Sequence, residues 1–306
     1  MTVSVFLSTW VDLRVPSLAP RTVESYRALI RLHISPFIGF ISWRKLRPRH
    51  IAPFLAAVAD AGKPRTAQLC FALLRAAYRT AVDARKIDKS PISRAFYPRH
   101  RSALPRFWTV SQLRAFIGAQ PDDVYRVAWV LALCCGLRRG ELCGLRWRDL
   151  DLDAGVMLVC NQRVAVSGVG IVDCSPKSVS GSRRIPLPDV VCNVLTRHFL
   201  IQQADFVSNG FPCAVYVLSV NGLGLSPYAL NRRFSTALAR SDGVPRITLH
   251  GLRHSMAALS VSLGVNLKVV QSLLGHSDIA ITARYYAHVV SDSQRDAVAK
   301  IANSVL

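Results

Sequence analysis

The sequence predicts a mainly α protein with a small β-sheet, an α+β chain built in two parts. Three patterns carry that expectation. Apolar residues keep helical spacing from residue 2 to about 88, periodicity is lost around Pro91, Pro98 and Pro105, and beyond Phe107 helical stretches flank a short region of strand-like alternation. A chain of 306 residues has the length for two domains. The expected division is a helical domain at 1–88, a basic linker at 89–106 and a second domain at 107–306.

In the first part, Val5, Phe6, Trp10 and Leu13 mark the apolar face of an opening helix. A second helix starts at Pro20-Arg21-Thr22-Val23-Glu24-Ser25-Tyr26, where proline in the first turn costs no hydrogen bond. Pro36-Phe37-Ile38-Gly39 predicts a break. Helices resume after Pro48 and again after Pro64. The last carries Leu69, Ala72, Leu73, Ala76, Ala77 and Thr80 on one stripe, with Arg65, Arg75, Arg79 and Arg85 largely off it. The result is a four-helix domain with a basic face. From Asp88 to Arg106, Arg94, Arg99, His100, Arg101 and Arg106 stand between prolines, which reads as an exposed connection. It either lies along a polyanion or is a solvated hinge.

From Phe107 to about Trp147 the pattern is helical, and Val127, Trp129, Val130, Leu131 and Leu133 predict a buried segment. Val156-Met157-Leu158-Val159, Gln162-Arg163-Val164-Ala165-Val166 and Arg183-Arg184-Ile185-Pro186-Leu187 read as short strands among turn residues. Helical patterns return from Asp189 to the end, with no internal repeat and no low-complexity tract.

Charge narrows the class of partner. Lys+Arg number 39 against 18 Asp+Glu, a net +21. The excess is uneven, +14 up to Arg106 and +7 after it, so the part without chemical motifs is the more strongly drawn to phosphate. Without an amphipathic basic stretch or a lipidation signal, nucleic acid is favoured over a membrane surface. Eight cysteines form no C-x-x-C pair, and Cys134, Cys135 and Cys143 fall in an apolar run as small hydrophobes, which fits a reducing compartment. The N-terminal residues lack a signal-peptide pattern and no run reaches membrane-spanning length, so a cytoplasmic location is expected.

The residues with chemical potential fall into two distant groups. Gly136-Leu137-Arg138-Arg139-Gly140-Glu141 holds one of the two glutamates of the chain, and more than a hundred residues later come His250-Gly251-Leu252-Arg253-His254, Leu274-Gly275-His276-Ser277 and Tyr285-Tyr286-Ala287-His288. Arginine grips two phosphate oxygens in a planar fork and keeps its charge at any working pH. His250 and Arg253 share a helical face at i, i+3. His250 and His254 stand at i, i+4, but Gly251 occupies the place where a zinc protease has its glutamate, so His254 reads as a packing or hydrogen-bonding residue. A phenol is only about one part in a thousand ionised at neutral pH, so an attacking tyrosine needs cations or a base nearby. Tyr285 and Tyr286 point about 100° apart on a helix, so one of them at most faces a common target. Between Arg138 and His250 the chain has a single lysine, Lys177. It is either a turn lysine in water or a proton donor.

In order and spelling this set resembles the tyrosine recombinases, the phage-integrase family. The resemblance implies a helical core-DNA-binding (SAM-like) domain, matched by Leu18-Ala19-Pro20-Arg21-Thr22 and Pro36-Phe37-Ile38-Gly39, followed by a catalytic domain. It implies that Arg138 is the first catalytic arginine with Glu141 as its support, and that His250, Arg253 and His276 stabilise the phosphate. Lys177, on a β-hairpin, would protonate the leaving 5′-oxygen. Tyr286 would be the nucleophile, since Tyr286-Ala287-His288-Val289 matches the family spelling, although spacing alone permits Tyr285. The implied reaction is site-specific DNA cutting and rejoining through a 3′-phosphotyrosine, without metal, ATP or another cofactor. The implied assembly is a homo-tetramer on two double-stranded DNA sites, helped by DNA-bending or directionality factors and located with the nucleoid. A separate arm-site domain ahead of the core-binding helices is not expected. Val289, Val290, Ala297, Val298, Ile301, Ala302 and Val305 would form a tail helix that docks on a neighbouring protomer or packs on its own domain. Cys135 and Ser90-Pro91 depart mildly from the family's usual Thr or Ser and Asn-Pro.

Other readings remain open at the level of sequence. A type IB topoisomerase would use similar chemistry to reseal the same strand. A decayed integrase would bind DNA without cutting it. A metal-dependent nuclease is disfavoured, because Asp149, Asp151 and Asp153 crowd one turn without an acidic partner elsewhere.

Overall fold

Residues 1–98, 106–166, 168–176, 181–211 and 213–275 are described by a computed structural model. The chain divides into two units, Met1–Ala103 with Val166–Gly168, and Leu104–Ala165 with Val169–Leu306.

The first unit is helical, as α1 (Val3–Asp12), α2 (Pro20–Leu29), α3 (Ser35–Ile38), α4 (Pro48–Asp60) and α5 (Pro64–Asp83). Prolines at the first turns of α2, α4 and α5 act as the sequence predicts. The inner face of α1 is rotated from the expected one: Val3, Phe6, Leu7, Trp10 and Val11 are buried, while Val5 and Leu13 are exposed. The cause lies at the helix start, where Thr2 bridges to Ser42 and the Val3 N–H donates to the Ile41 carbonyl, which turns Val3 inward. The stripe on α5 is also shifted, with Phe71, Leu74 and Tyr78 buried and Leu69 and Ala72 outside. The Tyr78 hydroxyl donates to the Trp43 carbonyl at 2.8 Å, which holds this face inward. Phe6 stacks on Trp43 with ring centroids 4.6 Å apart.

Pro36 does not break the chain. One π turn over Ile30–Ile34 carries α2 into α3, and Pro36 sits in the first turn of α3. Arg65, Arg75, Arg79 and Arg85 are exposed. After α5 the chain lies back on its own unit as far as Pro98: Ile92 is buried, Tyr97 meets Phe71 edge-on, and Gln68 donates to the Pro98 carbonyl.

The second unit opens with α6 (Val110–Gly118), α7 (Val124–Cys134) and α8 (Arg139–Gly144). The helical run expected to Trp147 is interrupted at Gly136, whose φ of +62° ends α7. A three-stranded antiparallel sheet follows in the order β1 (Leu150–Asp151), β2 (Val156–Val159), β5 (Arg183–Pro186), with Met157 opposite Ile185 and Val159 opposite Arg183. Strands β3 (Gln162–Val166) and β4 (Gly170–Cys174) pair separately. Then come α9 (Asp189–Ser208), β6 (Ser219–Val220), β7 (Leu223–Gly224), α10 (Pro227–Ala239), α11 (Leu249–Ser262) and α12 (Leu267–Leu274). The β6–β7 hairpin corrects the expectation of helices alone after Asp189. Its turn is Asn221-Gly222, both at positive φ, which is the two-residue hairpin signal.

The core of this unit gathers Trp108, Phe116, Trp129, Leu131, Met157, Ile185, Leu195 and Phe234, and the Trp108 indole N–H donates to the Pro245 carbonyl. No disulfide forms among the described cysteines. Burial pushes Cys135 and Cys143 up to about 12, so they act as small hydrophobes. Among the described residues no helix is long and apolar enough to cross a membrane.

Candidate active site

The site grows from the interruption at Gly136. A Cβ there would lie 2.9 Å from Leu274 Cδ2 and 3.3 Å from Met256 Sδ, so both the positive φ and the packing demand glycine. The turn buries Leu137 and presents Arg138 as the N-cap of α8, ahead of the helix rather than on it. Glu141, in the first turn, reaches back: Oε2 accepts from the Arg138 backbone N–H at 2.9 Å and Oε1 from Arg138 Nη1 at 2.7 Å. Arg138 Nη2 donates to the Gly275 carbonyl at 2.9 Å. A third of the Arg138 side chain stays exposed, 34%. The guanidinium is therefore held in orientation from two sides and open on another.

Glu141 is the hub of the cluster. Its side chain is 2% exposed, and it also accepts from Arg183, at 3.2 Å from Nη1 and 2.9 Å from Nη2. Burial would raise its carboxyl, but the hydrogen bond and charge of Arg183, with those of Arg138, outweigh burial and hold it down at about 2.

Helix α11 supplies the rest. Thr248 caps it through the Gly251 N–H, which sets His250 in the first turn with Arg253 one turn on. The sequence predicts this shared face. Arg253 is 2% exposed, and its guanidinium donates to the carbonyls of Gly136 and Leu274. The His250 ring keeps an exposed edge and meets His254 edge-on, with centroids 4.8 Å apart. Partial desolvation, His254 and the positive charges of Arg253 and Arg138 push His250 down to about 4 against the opposing pull of Glu141. At pH 7 the ring is neutral. His254 is also shifted down, by burial and by Arg253.

The structure thus brings Arg138, Glu141, His250 and Arg253 into one cluster. Lys177, His276, Tyr285 and Tyr286 lie outside the described residues, as do Arg99, His100, Arg101 and the tail after Gly275. Among the described residues no group of three or more His, Cys, Asp or Glu could hold a metal.

Arg183 and Asp173 were not singled out from sequence. The signal for Arg183 was available: it alternates with Ile185 and Leu187 and so falls on the inward face of β5, where a lone arginine needs a carboxylate. Asp173 on β4 accepts from the Tyr216 hydroxyl at 2.5 Å and lies 3.5 Å from Arg146 and 3.6 Å from Arg163. It ties the β3–β4 pair to the body of the unit.

Comparison with known proteins gives this geometry a family. The phage integrase family model matches residues 107–292, and the N-terminal SAM-like domain of phage integrases matches 2–57. The prophage phiRv2 integrase of Mycobacterium tuberculosis is 31% identical over 294 residues, 95% of this chain and 75% of that protein. The Tn1549 transposon integrase in complex with transposon right end DNA superposes with a TM-score of 0.82 at 25% identity, over 99% of this chain and 100% of that one. A lambda integrase tetramer bound to a Holliday junction shares the fold, with a TM-score of 0.68 at 20% identity over 93% of this chain and 77% of that one. The chain belongs to the phage integrase family, the tyrosine-type site-specific recombinases.

Proposed function

We propose that the protein cuts and rejoins double-stranded DNA through a 3′-phosphotyrosine, with Tyr286 as nucleophile and the cluster around Arg138 as the phosphate site. The observation that carries this reading is Arg138 itself. Its guanidinium is oriented by Glu141 and the Gly275 carbonyl and is open to solvent on one side. Fixed donors aimed at one place stabilise charge as it develops, because they need no reorganisation when the phosphorane forms.

In the proposed sequence the scissile phosphate docks on Arg138 and Arg253, with His250 and His276 as further donors or acceptors. The Tyr286 oxygen attacks phosphorus in line, and its proton passes to His250, the candidate base of the cluster. The bond from phosphorus to the 5′-oxygen breaks as that oxygen takes a proton from Lys177. The products are a tyrosyl 3′-phosphodiester and a 5′-hydroxyl. A 5′-hydroxyl from a second duplex then reverses the steps and joins new partners. One phosphodiester is exchanged for another throughout, so no ATP is required, and the arginines supply the charge that a metal would otherwise give.

Residues 1–88 would be the core-DNA-binding domain, 89–106 the linker and 107–306 the catalytic domain. Exposed Arg65, Arg75, Arg79 and Arg85 on the first unit support a role on the phosphate backbone. Family resemblance supports a homo-tetramer on two DNA sites, with accessory DNA-bending or directionality factors.

The test uses a duplex selected from a random pool by binding to the Tyr286→Phe protein, nicked near the cleavage point to trap the ester. Wild-type protein in EDTA should give a covalent protein–DNA band on a denaturing gel. Tyr285→Phe should keep the band and Tyr286→Phe should lose it. Loss in Tyr285→Phe alone would move the nucleophile by one residue, and tight binding with no band from any protein would favour a decayed, DNA-binding integrase.

A further inference from the structure

The end of α12 is held in an unusual way. Three consecutive carbonyls there each accept from a different arginine: Leu273 from Arg183 Nε at 2.6 Å, Leu274 from Arg253, and Gly275 from Arg138 Nη2 at 2.9 Å. The last carbonyls of a helix lack partners within it and carry the negative end of its dipole, so guanidinium groups satisfy both needs. Gly275 closes the helix in the left-handed conformation, and the next residue in the chain is His276.

Two of these arginines are the proposed phosphate ligands. Arg183 differs from Arg138, whose side chain is 34% exposed, and is buried like Arg253. Arg183 has a side chain only 6% exposed, and its fork is taken up inside the protein: Nη1 by Glu141 and the Gly181 carbonyl, Nη2 by Glu141, Nε by Leu273. Every nitrogen of its guanidinium is thus engaged within the protein. The side chain spans the carboxylate that orients Arg138 and the helix end from which the chain continues to His276 and Tyr286.

We propose that Arg183 is a positioning residue that couples the phosphate-binding arginines to the exit of α12, a role that rests on the function proposed above. Through Glu141 it sets the fork of Arg138, and through Leu273 it sets the register of the helix end. A slip of α12 along its axis breaks all three carbonyl contacts together, so the three arginines are tied to the position of the helix end. Lysine cannot replace it, because a single ammonium cannot reach both the carboxylate and the carbonyl in a fixed plane.

The experiment compares full-length wild type, Arg183→Gln and Arg183→Lys on the selected nicked duplex. It measures the dissociation constant, the single-turnover rate of covalent adduct formation, and the melting temperature. The proposal expects Arg183→Gln to bind DNA within about threefold of wild type and to form the adduct about 100-fold more slowly, the scale of a small misplacement of reacting groups. A purely structural role would weaken DNA binding along with the rate, whereas a positioning role slows the adduct at unchanged binding. If Arg183→Gln fails to fold, Arg183→Lys carries the test, with a rate about tenfold below wild type at unchanged binding. An adduct rate within about twofold of wild type in a folded variant overturns the proposal. Absence of any Tyr286-dependent adduct in the wild-type protein is a different result. It would overturn the functional reading and this proposal with it.

Discussion

Replacing Glu141 by glutamine removes one charge from the most deeply buried ion pairs of the second unit. The carboxyl is held at about 2 against an ordinary 4.5, and its side chain is 2% exposed. That shift corresponds to about 3 kcal/mol of preference for the ionised form in the folded state. Leaving a buried guanidinium without its carboxylate costs about 3–5 kcal/mol, and Arg183, with a side chain 6% exposed, is such a group. Glutamine keeps one oxygen acceptor, so the lower end, about 3 kcal/mol, is expected. In a unit of this size that lowers the transition by about 6–12 °C in scanning calorimetry. The pH dependence supplies an internal control. A carboxyl depressed by folding stabilises fully above its unfolded value, and the contribution fades as pH falls from 4.5 toward about 2. Glu141→Gln should flatten that part of the wild-type profile. A loss below about 1 kcal/mol with the acid profile unchanged would refute the view of Glu141 as the electrostatic hub.

Three further outcomes follow from the same contacts. Gly136→Ala forces a side chain onto a φ of +62° and into Leu274 and Met256, and urea unfolding should show a loss of about 2–4 kcal/mol. Tyr78→Phe leaves the Trp43 carbonyl without its donor inside the first unit, and the same measurement should show about 1–2 kcal/mol. His250, pushed down to about 4, is neutral over the working range, so adduct formation should not bend near the ordinary histidine value. A pH–rate profile from about pH 5 to 8 checks this, and an inflection near 6.5 that disappears in His250→Gln would contradict it.

How far the sequence could be read depended on what each signal measures. Prolines at the starts of α2, α4 and α5 located those helices well, because a first-turn proline has a local cause. The inner faces of α1 and α5 were misjudged, because Val5 and Leu69 are as apolar as the residues that won, and the choice was made by Thr2–Ser42 pairing and by Tyr78 reaching Trp43. Pro36 misled because a π turn ahead of it absorbs the change of path, and nothing local announces that. The β6–β7 hairpin was legible in Asn221-Gly222, but its strands span only two residues each and vanish beside a long helical pattern. Within the site, the i, i+3 pairing of His250 with Arg253 could be read from spacing. That Arg253 would point into the protein, and that Arg183 would share Glu141 with Arg138, depends on residues that meet only when β5, α8, α11 and α12 are assembled.

The central claim is that Tyr286 carries the DNA. Covalent adduct formed on the selected duplex in EDTA can be digested with nuclease and trypsin, and Arg284 and Arg295 bound a peptide that contains both Tyr285 and Tyr286. Tandem mass spectrometry of that peptide should find the residual nucleotide on the Tyr286 oxygen. A nucleotide on Tyr285 or on a peptide from elsewhere in the chain, or adduct formation that requires added metal, would contradict the account.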